Sequence, residues 1–312
     1  MLKRDLLSLD SLSSEAIQRL IDRARHYKTE GPTLEESSLL QGDSIGLLFE
    51  KPSTRTRVSF EVAVHKLGGH PLFLSQNDLQ LKRGETIADT ARVMGRYLKG
   101  LVIRTFQHDQ IEEWAEFSPI PIINGLSDRH HPCQILADLM TISEHRGQLA
   151  GLKLCFIGDG NNVANSLMIG GAKMGMNVTV ASPDGFMPHA GIVKQATEIA
   201  AEHHASIVVT HDPIAAASDA DILYTDTWVS MGDEGEAEVR RKQFQAYQLN
   251  ENMLKKTKQG LLVMHCLPAH RGEEITNEVM DGVHSVIFEQ SANRLPMHQA
   301  ILESIFAREI VV

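Results

Sequence analysis

The segment Ser53-Thr54-Arg55-Thr56-Arg57 gathers hydroxyls and two guanidiniums within five residues. It follows an apolar run, Ile45 to Phe49, that reads as a buried strand, and it precedes Phe60, Val64 and Leu67 at the i, i+4, i+7 spacing of a helix face. A strand, a turn at Pro52 and a helix are therefore predicted. Ser53 and Thr54 stand at the helix N-terminus, where hydroxyls cap backbone N–H groups and the helix dipole is positive. With Arg55 and Arg57 beside it, such an N-terminus suits a phosphate, which accepts several N–H and O–H bonds and pairs with a planar guanidinium through two oxygens. The same residues allow a plainer reading, a capped helix with two solvated arginines. Against it stands the repulsion between those arginines, since no acid follows them before Glu61. An anion would supply the missing charge.

Other polar residues follow apolar runs or open helical segments. Arg104 ends Leu101-Val102-Ile103 and is either a solvated strand end or a ligand group. Pro132, whose missing N–H suits a first helical turn, lies between His131 and Gln134. An imidazole and an amide within one turn can both donate to a carbonyl oxygen, as an oxyanion site requires; a structural histidine is the alternative. Cys133 reads as packed into that helix. Gly158-Asp159-Gly160-Asn161-Asn162-Val163 suggests a dinucleotide fingerprint, but Val163 occupies the place of the third glycine, and the next strand ends at Ser182 with no acid to hold a ribose. A nicotinamide cofactor is not expected. Asp226 precedes Ser230 by four residues in a loop ending at Gly232, as a ligand pair or a helix cap. His265, Cys266 and His270 could form a metal fragment, yet no second Cys or His pair stands at finger-like spacing, and no metal is expected. Gln80 lies in a polar stretch, Ser75 to Glu85, that reads as a loop.

Ser-Thr-Arg-Thr-Arg after a strand resembles the carbamoyl-phosphate loop of the aspartate and ornithine carbamoyltransferases. His131-Pro132-Cys133-Gln134 resembles that family's His-Pro-x-Gln motif, and His265-Cys266-Leu267-Pro268 its His-Cys-Leu-Pro motif. Asp226 with Ser230-Met231-Gly232 resembles the loop of the ornithine branch. The resemblance covers nearly the whole chain. It implies that Ser53, Thr54, Arg55, Thr56 and Arg57 hold the phosphate of carbamoyl phosphate, and that Arg104, His131 and Gln134 act with Arg55 on its carbonyl side. Cys266 and Leu267 line the reacting centre in this reading, and Arg294 reaches the same ligand. Arg55, Arg104, His131, Gln134 and Cys266 are the implied catalytic set. Asn162, beside Asn161, is assigned to the carboxylate of L-ornithine, Asp226 and Ser230 to its α-amino group, and Met231 to a loop closing over it. Gln80 is assigned to a neighbouring subunit's site, which implies a homotrimer with shared active sites. The implied reaction gives citrulline and phosphate without a metal or organic cofactor.

These residues need a scaffold that delivers them together. Strand-like runs at 44–49, 70–74, 100–104 and 120–123 alternate with helical segments near 55–67, 86–97 and 108–117. After a helix from Pro132 to about His145, further strands are read near 153–158, 177–181, 206–210, 221–225, 261–264 and 285–288. The rhythm predicts an α/β protein of two domains, each a parallel β-sheet flanked by helices. Their bounds are read as 1–132, completed by a C-terminal helix over 292–312, and 133–291. In the resembled family the active site occupies the interdomain cleft.

The 312 residues suffice for two cores, and 42% apolar with 22% charged residues is ordinary for a globular enzyme. A net charge of −10 argues against nucleic-acid or acidic-membrane partners. Three cysteines without paired spacing fit a reducing compartment. Met1 to Asp10 lacks a signal-peptide pattern, and no apolar run approaches the roughly 18 residues of a membrane span. A cytoplasmic setting is expected. The rival readings are a sister carbamoyltransferase acting on putrescine or an acylated ornithine, a dehydrogenase, and a non-catalytic protein that keeps the fold.

Overall fold

The computed structural model describes residues 4–75, 77, 79–229 and 234–307. The chain divides into two units, Met1–Met140 with Ala292–Val312, and Thr141–Ser291. The division falls inside the helix Pro132–Arg146 rather than at its start. The reason is chemical: the first turns of that helix carry Gln134 and Asp138, which bond into the buried polar network of the first unit.

The first unit is built on four parallel strands, β1 (Ser44–Phe49), β2 (His70–Ser75), β3 (Gly100–Arg104) and β4 (Ile122–Leu126), in the order β2-β1-β3-β4. Its helices are α1 (Ser14–Thr29), α2 (Thr54–Lys66), α3 (Ile87–Met94), α4 (His108–Phe117) and the first part of α5 (Pro132–Arg146). β1 and β3 are buried on both faces, as expected for central parallel strands covered by helices. The strand order reverses between them. Their last residues, Phe49 and Arg104, are partners in register, and the Glu50 N–H donates to the Arg104 carbonyl at 2.9 Å. In open parallel sheets such a reversal is where ligands bind.

The second unit has five parallel strands, β5 (Lys153–Ile157), β6 (Asn177–Ala181), β7 (Ile207–Thr210), β8 (Ile222–Thr225) and β9 (Leu262–His265), in the order β7-β6-β5-β8-β9. The helices that follow α5 are α6 (Asn162–Lys173), α7 (Ala190–Glu202), α8 (Pro213–Ala217), α9 (Ala237–Gln243), α10 (Glu251–Leu254), α11 (Asn277–Met280) and α12 (Ile287–Ala292). Here the order reverses between β5 and β8, whose ends are tied by the Thr225 hydroxyl donating to the Ile157 carbonyl at 2.7 Å. The last helix, α13 (Arg294–Phe306), belongs to the first unit, where it packs on α1 and α2.

The strand expected at 285–288 is a correction. Ser285 makes only an isolated bridge to Val263, and the chain turns into α12 at Ile287. A short apolar run such as Val286-Ile287-Phe288 fits a buried strand or a buried helix equally well by pattern. The edge of β9 is satisfied instead by a side chain, with the His265 N–H donating to Gln290 Oε1 of α12 at 2.9 Å. Among the described residues, no helix is long and apolar enough to cross a membrane.

Candidate active site

At the β1–β3 switch point the chain enters α2 through Ser53, whose extended backbone (φ −161°, ψ 115°) lets its Oγ accept the Thr56 N–H at 3.2 Å. Ser53 is thus the cap, and Thr54 is the first helical residue. The two arginines of this turn diverge. Arg57 Nε donates to Glu61 Oε1 at 2.9 Å, one turn further on, and its guanidinium lies 3.5 Å from the centre of the Phe73 ring on β2. Glu61 therefore does relieve the crowding expected between the arginines. Arg55 instead bears on His131, as do Arg104 and Arg294.

His131 precedes α5, and its carbonyl accepts the Ile135 N–H at 3.3 Å, so Pro132 stands in the first turn as its missing N–H requires. The imidazole is buried. Burial, reinforced by the positive charges of Arg294, Arg104 and Arg55, holds its pKa well below the usual value, so the ring is neutral at neutral pH.

Arg294, at the start of α13, is 2% exposed and spreads its donors over three partners. One terminal nitrogen donates to Gln134 Oε1, the other to Thr56 Oγ1 at 3.2 Å, and Nε donates to His298 Nε2 at 3.3 Å. Gln134 passes the chain on, its Nε2 donating to the fully buried Asp138 at 2.8 Å. A buried guanidinium costs heavily unless it is hydrogen-bonded throughout. The network answers that cost with residues from α2, α5 and α13. Gln80 is exposed, on a turn over Gln80–Arg83.

In the second unit the carboxyl end of β8 presents Asp226, nearly buried. Its Oδ1 accepts the Thr227 N–H at 2.8 Å and the Cys266 thiol at 3.0 Å, and its Oδ2 accepts from Asn161 Nδ2 at 2.8 Å. Asn161 is the cap of α6, its Oδ1 accepting from Val163 and Ala164 N–H at 2.9 and 3.3 Å. Asn162 is the first helical residue beyond it. Cys266 and Leu267 follow β9, where Leu267 takes a left-handed backbone (φ 59°) before a cis Leu267–Pro268 bond. The Leu267 N–H donates to His265 Nδ1 at 2.9 Å, and His265 Nε2 pairs with Glu274 Oε1 at 2.9 Å, both side chains fully buried. Ser230, Met231 and Gly232 lie outside the described residues.

Two side-chain groups gather donor types that metals use, Asp226 with His265 and Cys266, and His270 with Glu273 and Glu274. In the first, both ring nitrogens of His265 are engaged, and the Cys266 thiol and Asp226 are bonded to each other. In the second, Arg241 pairs with Glu273 at 3.1 Å, and Glu274 receives both His265 and the His270 N–H. Hydrogen bonds or ion pairs within the chain already engage side chains of both groups. The glycine-rich turn before α6 is likewise explained without a dinucleotide: Asn161 satisfies the helix N-terminus, and a Cβ on Gly160 would lie 2.2 Å from the Pro188 nitrogen.

Two family profiles match the chain in tandem. The carbamoyl-P binding domain of aspartate/ornithine carbamoyltransferase covers residues 4–144, and the Asp/Orn binding domain covers 150–305. The chain belongs to the aspartate/ornithine carbamoyltransferase family. A family relative from Anoxybacillus flavithermus, named ornithine carbamoyltransferase, is 52% identical over 302 residues, 97% of this chain and 96% of the relative. One from Pyrococcus furiosus, named as the anabolic ornithine carbamoyltransferase, is 50% identical over 299 residues, 96% of this chain and 95% of its own. The solved ornithine carbamoyltransferase from Pyrococcus furiosus superposes with a TM-score of 0.94 at 48% identity, covering 98% of both chains. The structure from Campylobacter jejuni, titled anabolic, gives 0.92 at 39% identity and covers 99% of this chain and all of its own.

Several residues of the site were not singled out from the sequence. His298 and Asp138 complete the Arg294 network, and Asn161, rather than its neighbour, holds Asp226. A signal for the first existed. Arg294 and His298 stand four apart on a helix that is buried nearly all round, and polar residues at that spacing share one face.

Proposed function

We propose that this chain transfers the carbamoyl group of carbamoyl phosphate to the δ-amino group of L-ornithine, giving L-citrulline and phosphate. The observation that carries the reading is the buried Arg294 guanidinium bonded to Gln134 and to Thr56 in the Ser53-capped first turn of α2, with the positive charges of Arg55 and Arg104 also felt at the buried His131. Such a site favours a small dianion strongly. The phosphate is assigned to Ser53, Thr54, Arg55 and Thr56. Arg57, engaged by Glu61 and Phe73, is assigned to the frame of the loop.

The carbonyl oxygen is assigned to Arg55, Thr56, Arg104, His131 and Gln134, which stabilise the charge that grows on it as the amine attacks. The new C–N bond forms, the C–O bond to phosphate breaks with its electron pair leaving on phosphate, and the departing phosphate takes up the proton that the amine loses. An alkylamine has a pKa near 10.4, so the nucleophile must shed its first proton before attack; burial beside cations lowers that value. The rate is expected to rise with pH until this group has titrated. Asp226, Asn162, Ser230 and Met231 are assigned to ornithine, and Cys266 with Leu267 to the reacting centre. The exposed Gln80 is assigned to a neighbouring copy in a homotrimer, in a cytoplasmic setting.

The test is a citrulline assay with carbamoyl phosphate and L-ornithine, L-aspartate, putrescine or N-acetylornithine, beside an Arg55→Ala control. Selective turnover of ornithine that collapses in the control supports the assignment. Turnover of another amine keeps the anion loop and overturns the reading of Asp226, and no turnover by folded chain overturns the reaction.

A further inference from the structure

α2 and α13 face each other through two rungs of side chains, each four residues from the next. On one rung Thr56 meets Arg294 at 3.2 Å, and on the other Phe60 meets His298, their rings stacked with centroids 3.7 Å apart and planes 14° from parallel. The rungs are joined along α13 by the Arg294 Nε bond to His298 Nε2. Arg294 has no acceptor atom, so His298 Nε2 must be the unprotonated nitrogen and Nδ1 carries the proton. That Nδ1 is buried with no hydrogen-bond partner among the described residues.

This arrangement is poor for stability alone. A fully buried ring stacked on phenylalanine is better apolar, because an unpaired buried N–H costs its desolvation. What a histidine supplies here, and phenylalanine does not, is an acceptor for Arg294 Nε. Fixing Nε fixes the rotation of a planar guanidinium and so directs its two terminal nitrogens toward Gln134 and Thr56.

We infer that His298 is a positioning residue for the carbamoyl phosphate site, acting through Arg294. The inference rests on the reaction proposed above. Protonation of the ring would set N–H against N–H at Arg294, and burial together with Arg294 keeps it neutral, its pKa well below the usual imidazole value.

Two full-length variants separate positioning from packing. His298→Phe keeps the stack on Phe60 and loses the acceptor. His298→Gln loses the stack and keeps an acceptor oxygen near the place of Nε2. Affinity for carbamoyl phosphate, and for inorganic phosphate as a second probe, is measured by calorimetry beside thermal melting and the KM for ornithine. His298→Phe relieves the unpaired Nδ1 but leaves Arg294 Nε without its acceptor, two opposed effects, so it is expected to melt close to wild type yet bind both ligands ~10-fold more weakly, with the ornithine KM unchanged. His298→Gln is expected to melt lower and bind within about 3-fold of wild type. Equal affinities in the two variants, or affinities that follow the melting temperatures, would overturn the role of His298 alone. A wild-type chain that neither binds carbamoyl phosphate nor forms citrulline would overturn this role and the proposed reaction together.

Discussion

Asn161 donates to Asp226 Oδ2 at 2.8 Å while its own amide oxygen accepts two N–H groups at the start of α6. One side chain therefore ties the helix cap of the second unit to the carboxylate at its switch point. Replacing it by alanine removes both functions at once. Asn161→Ala is expected to lower stability by about 1 kcal/mol, the usual worth of a cap, and to raise the KM for ornithine by about tenfold while affinity for carbamoyl phosphate stays unchanged. Asn162→Ala leaves the cap in place, so it is expected to alter ornithine binding without the thermal loss. Melting curves and the two KM values check both.

Arg55 and Arg57 are two residues apart and differ in partners. Arg57→Met removes the guanidinium over Phe73 and an i,i+4 ion pair that is about one-third to one-half exposed, each worth about 1 kcal/mol or less. Phosphate affinity should fall only slightly. Arg55→Met removes a charge that bears on His131 and is expected to weaken carbamoyl phosphate binding at least tenfold. Comparable losses in the two variants would contradict the assignment of Arg57 to the frame.

His108, His130, His131 and His298 are buried, and burial lowers all four from the ordinary 6.5, His130 to about 4. The folded chain thus holds these rings neutral where the unfolded chain protonates them. Stability is present in full above about pH 6.5 and is lost as pH falls below it, each ring adding up to about 1.4 kcal/mol per pH unit to the slope. The contribution of His130 stops growing near pH 4, where its folded form takes up the proton. Urea titrations between pH 7.5 and 5 are expected to show a steep loss, and His130→Asn a shallower one.

A shared site is testable by complementation. If Gln80 serves a neighbouring copy, Gln80→Ala and Arg55→Ala chains are each impaired alone. Mixed by unfolding and refolding together, they should regain activity, since roughly one site in four then pairs an intact Arg55 with an intact Gln80 in a cyclic assembly. Activity that never exceeds the mean of the two separate variants would place both residues in one chain's site.

Much of this organisation is legible in the residues. β1, β3 and β5 are apolar runs ended by polar loops, and Ser53 and Pro132 mark helix starts by local chemistry. What local chemistry does not disclose is direction. Nothing near Arg57 says that it turns to Phe73, because Phe73 reaches it only through the β1–β2 pairing. The pair Asn161-Asn162 offers two side chains of the same type, and only the fold shows that Asn161 both caps α6 and reaches Asp226, 65 residues further on. Val286 to Phe288 is apolar enough for a strand, but beyond the single Ser285–Val263 bridge the Gln290 side chain takes the place of a backbone partner for His265.

The place of α13 has a consequence for the order of synthesis. Arg294 and His298 complete a network, the proposed anion site, whose other residues lie between Ser53 and Gln134, yet the whole second unit is translated before they emerge. Domains generally fold as they leave the ribosome, N-terminal first. This chain's first unit cannot finish in that order: until its last helix arrives, α1 and α2 each lack the helix they pack on and Gln134 lacks its cation. Any product cut short before Arg294 is therefore both incompletely packed and unable to assemble the proposed anion site, so that loss of the end of the message is expected to silence activity and mark the chain for proteolysis by the same missing helix.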